Sequence, residues 1–289
     1  MKSSVSIFGG AYCNAGEVVE ILLRKGDFRL LTDGDIIEAV ACEDHSPKNR
    51  VEKVYSSDHS RFNRFIHERS YYIAQIKHAL ARHLSENQRL LINGFASQLI
   101  PGKVSHNLKI CLVADMKHRV TRLQRGKKLS EDEAIQWIQR NDKDRVEWIR
   151  SLNHTNDPWD PTLYDMVAQA DKLPPAEVAD LILENLRRSA VQPTESSISA
   201  VNDFLLAARI ESLMLGSGYD VQVTADSGTV VLMLRRRVLM RNRLISEIED
   251  RLEKLPEIKS YQVVNNFSTC EPDKTNRTAR RTLPNQVDR

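Results

Sequence analysis

The sequence predicts an α/β fold, in which a parallel sheet is covered by helices on both faces, followed by a small α+β module. Three observations carry this prediction. Residues 5–24 form the pattern of a short apolar strand, a glycine loop and a helix. Two further continuous apolar runs, at 89–92 and 108–113, alternate with helical segments, which is typical of a buried parallel sheet. A β-hairpin pattern at 221–234 follows a polar stretch and indicates a second unit.

Length and composition are those of a folded chain with room for two domains. The chain has 289 residues, and 41% of them are hydrophobic, which is enough for a packed core. A formal charge of +3 does not favour a general nucleic-acid binder, and we expect no specific nucleic-acid partner. The four cysteines are scattered and have neither metal-ligand nor disulfide spacing, so we expect no metal-ligating residues. Because no apolar run is long enough for a signal peptide or a membrane span, we expect a cytoplasmic protein without a transmembrane segment.

The first unit begins with a strand, a loop and a helix. Residues 5–8 are largely apolar, 9–16 are mostly small or polar, and 17–24 carry apolar residues at helical spacing. Such a loop binds phosphate because backbone N–H groups converge on the anion and the helix N-terminus adds partial positive charge. The candidate nucleotide-binding residues are Gly9, Gly10, Asn14, Ala15, Gly16 and Glu17.

The same loop lacks the lysine of the full motif G-x-x-x-x-G-K-[ST]. Counted from Gly10, the lysine position falls on Gly16 and the hydroxyl position on Glu17. A carboxylate there repels phosphate unless a metal ion lies between the two. Taken alone, the loop also fits a tight turn between a strand and a helix.

The remaining elements of the first unit alternate between strands and helices. We predict, in chain order, a strand at 28–32, a helix from Asp33-Gly34-Asp35 onward, a loop at 44–60, a helix at 62–84, strands at 89–92 and 108–113, helices at 116–125, 130–141 and 143–152, a strand at 164–169 and a helix at 174–186. Ser130 and Glu133 have the spacing of a capping box at the start of one of these helices.

The second unit follows a change in composition. Residues 189–197 are rich in Ser, Thr, Pro and Gln and predict a linker between domains at 1–188 and 198–265. The second domain has the pattern αββαβ. Residues 266–289 contain few apolar side chains and predict a disordered basic tail.

Four segments in order resemble the cytidylate kinase-like family of P-loop nucleoside monophosphate kinases. They are an apolar strand ending in Ala-Asp with an arginine-bearing helix (106–120), a capped Ser-Glu-Asp-Glu-Ala segment (129–134), an arginine- and aspartate-rich lid (139–145), and Trp-Asp-Pro-Thr-Leu-Tyr-Asp-Met-Val (159–167). Order and spacing hold over 1–188. The resemblance implies a P-loop phosphoryl-transfer fold that uses ATP with Mg²⁺ as donor and CMP or dCMP as acceptor.

The resemblance also implies that lid arginines stabilise charge on the moving γ-phosphate. Guanidinium groups suit this role because they stay charged and bind phosphate oxygens bidentately. The candidate catalytic residues are Arg119, Arg140, Arg145 and Asp142, with Arg125 and Asp144 as further candidates. The alternative is a solvated helix held by ion pairs between residues three and four apart.

On the acceptor side, the resemblance implies contacts from an aspartate after the second strand and from arginines on the helices that follow. The candidate substrate-binding residues are Asp33, Asp35, Arg64, Arg69, Asn93 and Gly94. Alternatively, either aspartate can cap a helix, and either arginine can be an ordinary surface residue.

Residues 198–265 resemble a BON domain, a small αββαβ module linked to phospholipid or ligand contact. A glycine often found after its second strand is absent, and Leu234 with Arg235, Arg236 and Arg237 stands there. The basic stretch 235–243 either contacts a protein or an anionic surface, or begins a solvated helix.

Three functions stay open at this stage. The first is a nucleoside monophosphate kinase that acts on nucleoside mono- and triphosphates. The second is a catalytically degenerate nucleotide sensor, since the cytidylate kinase-like family often keeps a basic residue beside the loop glycines and residues 15–17 offer none. The third is an adaptor that acts through its BON-like module at 198–265.

Overall fold

The computed structural model describes residues 1–58, 67–153, 155–235, 241–255, 257–265 and 281–282. The chain divides into two compact units, and each is described by itself. The first comprises 1–61 and 83–198, and the second comprises 62–82 and 199–289. The division places 62–82 with the C-terminal unit, a segment that the sequence-based boundaries leave in the first domain. Those boundaries stay a prediction.

The first unit is built on a five-stranded parallel sheet, as predicted. Its strands are β1 (Ser4–Gly9), β2 (Arg29–Thr32), β3 (Leu90–Asn93), β4 (Asn107–Val113) and β5 (Met166–Gln169), in the spatial order β2-β3-β1-β4-β5. Because β1 lies between β3 and β4, its carboxyl end opens at the centre of the sheet, where parallel α/β sheets place their ligands.

Helices flank this sheet. They are α1 (Ala15–Lys25), α2 (Asp33–Glu43), α3 (Lys48–Glu52), α5 (Met116–Gly126), α6 (Glu131–Asn153) and α7 (Pro175–Leu186). The remaining helix of this stretch, α4 (Glu68–Ser85), belongs mostly to the second unit. The core beside α1 and α7 is apolar: Ile7 of β1, Leu22 of α1 and Ile182 of α7 are fully buried there. The apolar face of α1 therefore positions the loop before it.

The second unit contains α8 (Glu195–Gly216), β6 (Val221–Asp226), β7 (Thr229–Leu234), α9 (Arg241–Leu252), β8 (Ser260–Asn265) and β9 (Arg281–Thr282). β6 and β7 form the predicted antiparallel hairpin, β8 runs parallel to β7, and β9 is antiparallel to β8. Ile210, Val221, Leu232 and Ile248 are fully buried in its core. This confirms a small α+β module, while its resemblance to a BON domain stays a prediction.

Two element predictions are wrong. Residues 44–60 were expected to be a loop, but α3 and a 3₁₀ turn at Lys53–Tyr55 lie within them, because Val51 and Val54 are fully buried and anchor this segment to the core. Helices at 130–141 and 143–152 were expected to be separate, but α6 is continuous. The predicted linker also contains structure, a 3₁₀ turn at Ser189–Val191 and the start of α8.

Among the described residues, no helix has both the length and the apolar character needed to cross a membrane. Within the same ranges, no cluster of three or more His, Cys, Asp or Glu side chains has the arrangement of a metal site. The predicted tail at 266–289 lies outside the described residues except for β9, and so does most of the basic stretch 235–243.

Candidate active site

A cavity of about 550 Å³ opens at the carboxyl ends of β1, β2 and β3. It brings together residues of all three predicted groups, nucleotide-binding, substrate-binding and catalytic: Gly9, Gly10, Asn14, Ala15, Gly16, Glu17, Asp33, Asn93, Gly94 and Arg145. The lining also includes Arg122 and Phe95, which the sequence-based prediction did not include.

Other predicted site residues lie elsewhere. Arg140 is exposed on α6 and does not line the cavity. Asp35 forms a capping box with Thr32 at the start of α2, and its bonds to Thr32 lower the pKa of its carboxyl group. Arg69 belongs to the second unit, and Arg64 lies outside the described residues.

The two further catalytic candidates, Asp144 and Arg125, do not line this cavity. Asp144 accepts a hydrogen bond of 2.7 Å from the backbone N–H of Ser57, so it holds the segment after α3. Arg125 is exposed and lines a second, smaller cavity of about 260 Å³ together with Asp115 and Asp171.

The glycine loop has an unusual backbone conformation at two non-glycine residues. Tyr12 and Asn14 have φ values of 64° and 59°, in the left-handed region. Asn14 is held there because its Nδ2 donates to the carbonyl of Ala170 at 2.9 Å and its Oδ1 lies 3.3 Å from Nε2 of His118. The loop is therefore fixed by contacts more than a hundred residues away in sequence, which no local pattern reveals.

The N-terminus of α1 faces this cavity without a side-chain cap. The first backbone hydrogen bond of α1 runs from the N–H of Val18 to the carbonyl of Asn14, at 3.1 Å. The N–H groups of Ala15, Gly16 and Glu17 precede it and are the ones that a helix presents to an anion. The backbone part of a phosphate cradle is thus present.

Glu17 forms an ion pair with Arg122 at the mouth of the cavity. Both residues line the cavity, and Arg122 lies on α5, three residues after Arg119. The carboxylate at the motif's hydroxyl position thus partly neutralises a guanidinium that faces the cavity.

Arg119 and Asp142 clamp the loop at Ala11. The buried Arg119 donates from Nε to the carbonyl of Ala11 at 2.8 Å and from Nη2 to Asp142 at 2.6 Å. The other Asp142 oxygen accepts the Ala11 N–H at 3.3 Å. Both polar backbone groups of Ala11 are therefore occupied by side chains. A Cβ at Gly10 would lie 3.3 Å from the Arg119 guanidinium and 2.9 Å from Sγ of Cys13, so glycine suits this close approach.

Arg145 reaches the same loop from α6. Its Nε donates to the carbonyl of Gly9 at 2.7 Å, its Nη1 donates to the carbonyl of Asn141 at 2.9 Å, and its guanidinium lies 5.3 Å from the centre of the Phe95 ring. Burial lowers the pKa of Arg145, and the Asp142 carboxylate opposes that change. A guanidinium has five N–H donors, so Arg145 keeps donors for a ligand in the cavity.

Asp33 holds the opposite wall. Its carboxylate accepts hydrogen bonds from the backbone N–H groups of Phe95 at 2.7 Å and Ala96 at 2.8 Å, and burial raises its pKa to about 6. Gly94 has a φ of 131°, and a Cβ there would lie 2.1 Å from an Asp33 oxygen. Asp33 therefore shapes the turn after β3.

The residues at the loop do not reproduce the Mg²⁺-binding site of P-loop enzymes. In that site a Ser or Thr hydroxyl directly after the lysine binds the ion, whereas this chain has Glu17 at that position, in an ion pair with Arg122. Cys13 does not offer an alternative nucleophile, since burial raises the pKa of its thiol to about 11. No step involving Mg²⁺ follows from this site.

A five-stranded parallel sheet flanked by helices, with a glycine loop at the end of its central strand, defines a kinase-like P-loop fold. A sequence model described as "Cytidylate kinase-like family" matches residues 4–172, which is more than half of the chain. The chain belongs to the cytidylate kinase-like family.

Several solved structures are similar to part of this chain at low identity. An uncharacterized protein from Eubacterium ventriosum ATCC 27560 has 13% identity and a TM-score of 0.49, covering 65% of this chain and all of its own. Shikimate kinase from Bacteroides thetaiotaomicron has 11% identity and a TM-score of 0.38, and the match covers 64% of this chain and 97% of that one. A gluconokinase from Sinorhizobium meliloti 1021 has 13% identity and a TM-score of 0.37, and the match covers 65% of this chain and 93% of that one. These likenesses carry no information on substrate. No curated protein matches the sequence.

Proposed function

We propose that the first unit binds a nucleotide and transfers phosphate poorly or not at all, as a catalytically degenerate member of its family. The observation that carries this proposal is the identity of two loop residues. Gly16 occupies the lysine position of the motif, and Glu17 occupies its hydroxyl position and forms an ion pair with Arg122. The ligand class that we assign is the family's own, nucleoside mono- and triphosphates.

The expected loss of chemistry follows from the absent lysine. That lysine holds the β- and γ-phosphates during transfer, and losing one such donor in a preorganised site costs about 2.7–4 kcal/mol of transition-state stabilisation. This corresponds to a rate lower by roughly 10²–10³. The absent hydroxyl removes the usual protein ligand of Mg²⁺ as well.

Retained binding follows from the groups that are still in place. The N–H groups of the first turn of α1 face the cavity, and Arg145 keeps guanidinium donors beside the Gly9 carbonyl. Asp33 and Gly94 shape a wall opposite the loop. Binding needs only these fixed dipoles and charges, whereas transfer needs stronger contacts in the transition state.

Calorimetric titration of the full chain with ATP, ADP and CMP, with and without MgCl₂, tests binding, and a coupled assay of ADP release tests transfer. We expect saturable binding of at least one nucleotide and no CMP-dependent ADP release above background. The variant Arg145→Ala serves as the binding control and is expected to weaken affinity. Efficient CMP phosphorylation contradicts the proposed loss of catalysis, and absence of any nucleotide binding contradicts the proposed ligand.

A second candidate is an active kinase in which another cation replaces the lysine. The observation that favours it is Arg122, whose side chain lines the cavity beside the loop. In that case Arg122→Ala abolishes a measurable CMP-dependent ADP release, whereas Arg125→Ala, on the same helix but outside this cavity, leaves it unchanged.

Four more specific predictions from the sequence are also proposals. They are CMP or dCMP as the acceptor, ATP with Mg²⁺ as the donor, a cytoplasmic location, and a protein or anionic-surface partner for the stretch 235–243 of the C-terminal module. Truncation at Ser196 tests the adaptor role: partner capture that is unchanged by the truncation rejects it.

A further inference from the structure

The second unit contains a cavity of its own, of about 700 Å³. Its walls come from α4, from α8, from the turn between β6 and β7, and from the residues that lead into β8. None of its lining residues belongs to the glycine-loop cavity. A volume of this size accommodates a nucleotide-sized molecule.

One face of α8 forms a wall of this cavity. Ser199, Asn202, Leu206 and Arg209 are spaced three or four residues apart and therefore lie on the same side of the helix. Leu206 and its neighbour Leu205 are half-buried and line the cavity, so a ligand there contacts aliphatic carbon as well as polar groups.

The turn at Ser227 and Gly228 is fixed by Asp203. The Asp203 carboxylate accepts the N–H groups of Ser227 at 2.8 Å and Gly228 at 3.0 Å. Gly228 has a φ of 82°, and a Cβ there would lie 3.0–3.2 Å from the aliphatic carbons of Lys259. The rigid turn and the Lys259 stem thus support each other, and they hold the lysine at the rim.

The lining carries three cationic side chains, Arg82, Arg209 and Lys259, against two carboxylates, Asp203 and Glu257. Both carboxylates are engaged: Asp203 with the turn, and Glu257 with Arg209 at 2.6 Å. The ammonium group of Lys259 lies 3.3 Å from the carbonyl oxygen of Ser227. Because this carbonyl is neutral, it does not compensate the positive charge of the lysine. The charge of Lys259 therefore favours an anion at this rim of the cavity.

We propose that this cavity is a binding site for an amphipathic organic acid, with its acidic group beside Lys259 and its apolar body against Leu205 and Leu206. The family match ends at residue 172 and includes only His78 and Arg82 of the lining, and the proposed nucleotide site shares no residue with this cavity. The inference does not depend on nucleotide binding by the first unit.

Titration of the full chain with 8-anilinonaphthalene-1-sulfonate, followed by fluorescence, tests the site, because this probe joins an anionic group to an aromatic body. The variant Asn202→Trp fills the cavity from an exposed helix position, and Lys259→Glu reverses the charge at the rim. We expect each to raise the dissociation constant about tenfold. The matched controls Gln222→Trp and Lys254→Glu, which lie outside the cavity, are expected to change it less than twofold.

A third variant moves the affinity in the opposite direction. Glu257→Gln removes the carboxylate that pairs with Arg209, so Arg209 becomes available to the acid, and we expect tighter binding by about threefold. Because partly folded states expose apolar surface that also binds this probe, tighter binding counts as a ligand contact only in a variant with native tertiary packing. Near-UV circular dichroism and a cooperative urea transition verify that packing for each variant, and Asn202→Trp decides alone if Lys259→Glu does not fold.

Competition identifies the acidic group. Displacement of the probe by octanoate assigns a carboxylate, displacement by phenyl phosphate assigns a phosphate monoester, and either result supports the proposal. Failure of both competitors contradicts it, as does a dissociation constant that is equal in the unmodified chain, Asn202→Trp and Lys259→Glu. Substitutions at Gly16 and Glu17 are expected to leave these titrations unchanged, so this test and the nucleotide test fail independently.

Discussion

The two walls of the glycine-loop cavity use charge in different ways. On the loop side, cations meet the chain's own acceptors: Arg122 pairs with Glu17, and Arg119 pairs with Asp142. On the opposite side, the buried Asp33 is held by the N–H groups of Phe95 and Ala96. The first wall engages its cations in internal ion pairs, whereas the second is a polar surface held by backbone hydrogen bonds. Under the proposed function, the first wall limits phosphate transfer while the second still supports nucleotide binding.

Restoring the loop motif is expected to have the largest effect on the loop-side wall. The double variant Gly16→Lys/Glu17→Ser supplies the lysine and the hydroxyl, and a Cβ at Gly16 meets nothing within 4 Å, so a side chain can begin there without a clash. We expect CMP-dependent ADP release to rise by roughly 10²–10³ over the unmodified chain. Gly126→Lys, at another open glycine, is the matched control and is expected to leave the rate unchanged. No gain in the double variant argues that more than the loop has been lost.

The pH dependence of stability tests the Asp33 wall. Burial raises the pKa of Asp33 to about 6 from a usual value of 3.8, so the folded state holds a proton that the unfolded state releases between these pH values. The free energy of unfolding contributed by this group therefore falls as pH rises from about 4 to about 6, by at most about 3 kcal/mol.

Urea denaturation from pH 4 to pH 7 measures this effect as the difference between the unmodified chain and Asp33→Asn, which lacks the titrating group. As pH rises, we expect the free energy of unfolding of the unmodified chain to fall relative to that of Asp33→Asn. A difference that does not change with pH argues that the Asp33 carboxylate is solvated.

Gly94 tests whether the same wall is rigid. In Gly94→Ala the Cβ would lie 2.1 Å from an Asp33 oxygen, and the residue would have to keep a φ of 131°. We expect a loss of about 2 kcal/mol in the free energy of unfolding. Gly102→Ala, where a Cβ meets nothing within 4 Å, is the control, with an expected change within about 0.5 kcal/mol. Equal stability of the two variants shows that the turn can relax.

The ion pair at the loop has the smallest expected effect. Glu17→Gln frees Arg122 to meet a phosphate, and because the pair is partly exposed we expect nucleotide affinity to rise by only about threefold in calorimetry. Glu20→Gln removes a carboxylate that also lines the cavity but does not form the ion pair with Arg122, and serves as the control. A fall in affinity for Glu17→Gln indicates that Glu17 itself contacts the ligand, for example through a metal ion.

Local patterns predicted the parallel sheet, the capping box at Ser130 and the defect at Gly16, because each depends on residues close in sequence. They did not predict the role of Arg122, whose partner Glu17 lies 105 residues away. The predicted helices at 130–141 and 143–152 left Asp142 between them. In the structure α6 continues through Asp142, whose carboxylate contacts Arg119 and Ala11, contacts between segments distant in sequence that no local pattern reveals.

Single-turnover transfer from γ-labelled ATP to CMP, with the full chain in excess and MgCl₂ present, tests the central claim most directly. A filter-binding measurement on the same sample reports bound nucleotide. We predict that the protein retains labelled ATP while no labelled CDP accumulates above the level without protein. Labelled CDP formed within seconds would contradict the account, because the cavity would then carry out transfer despite Gly16 and Glu17 at the positions of the lysine and the hydroxyl.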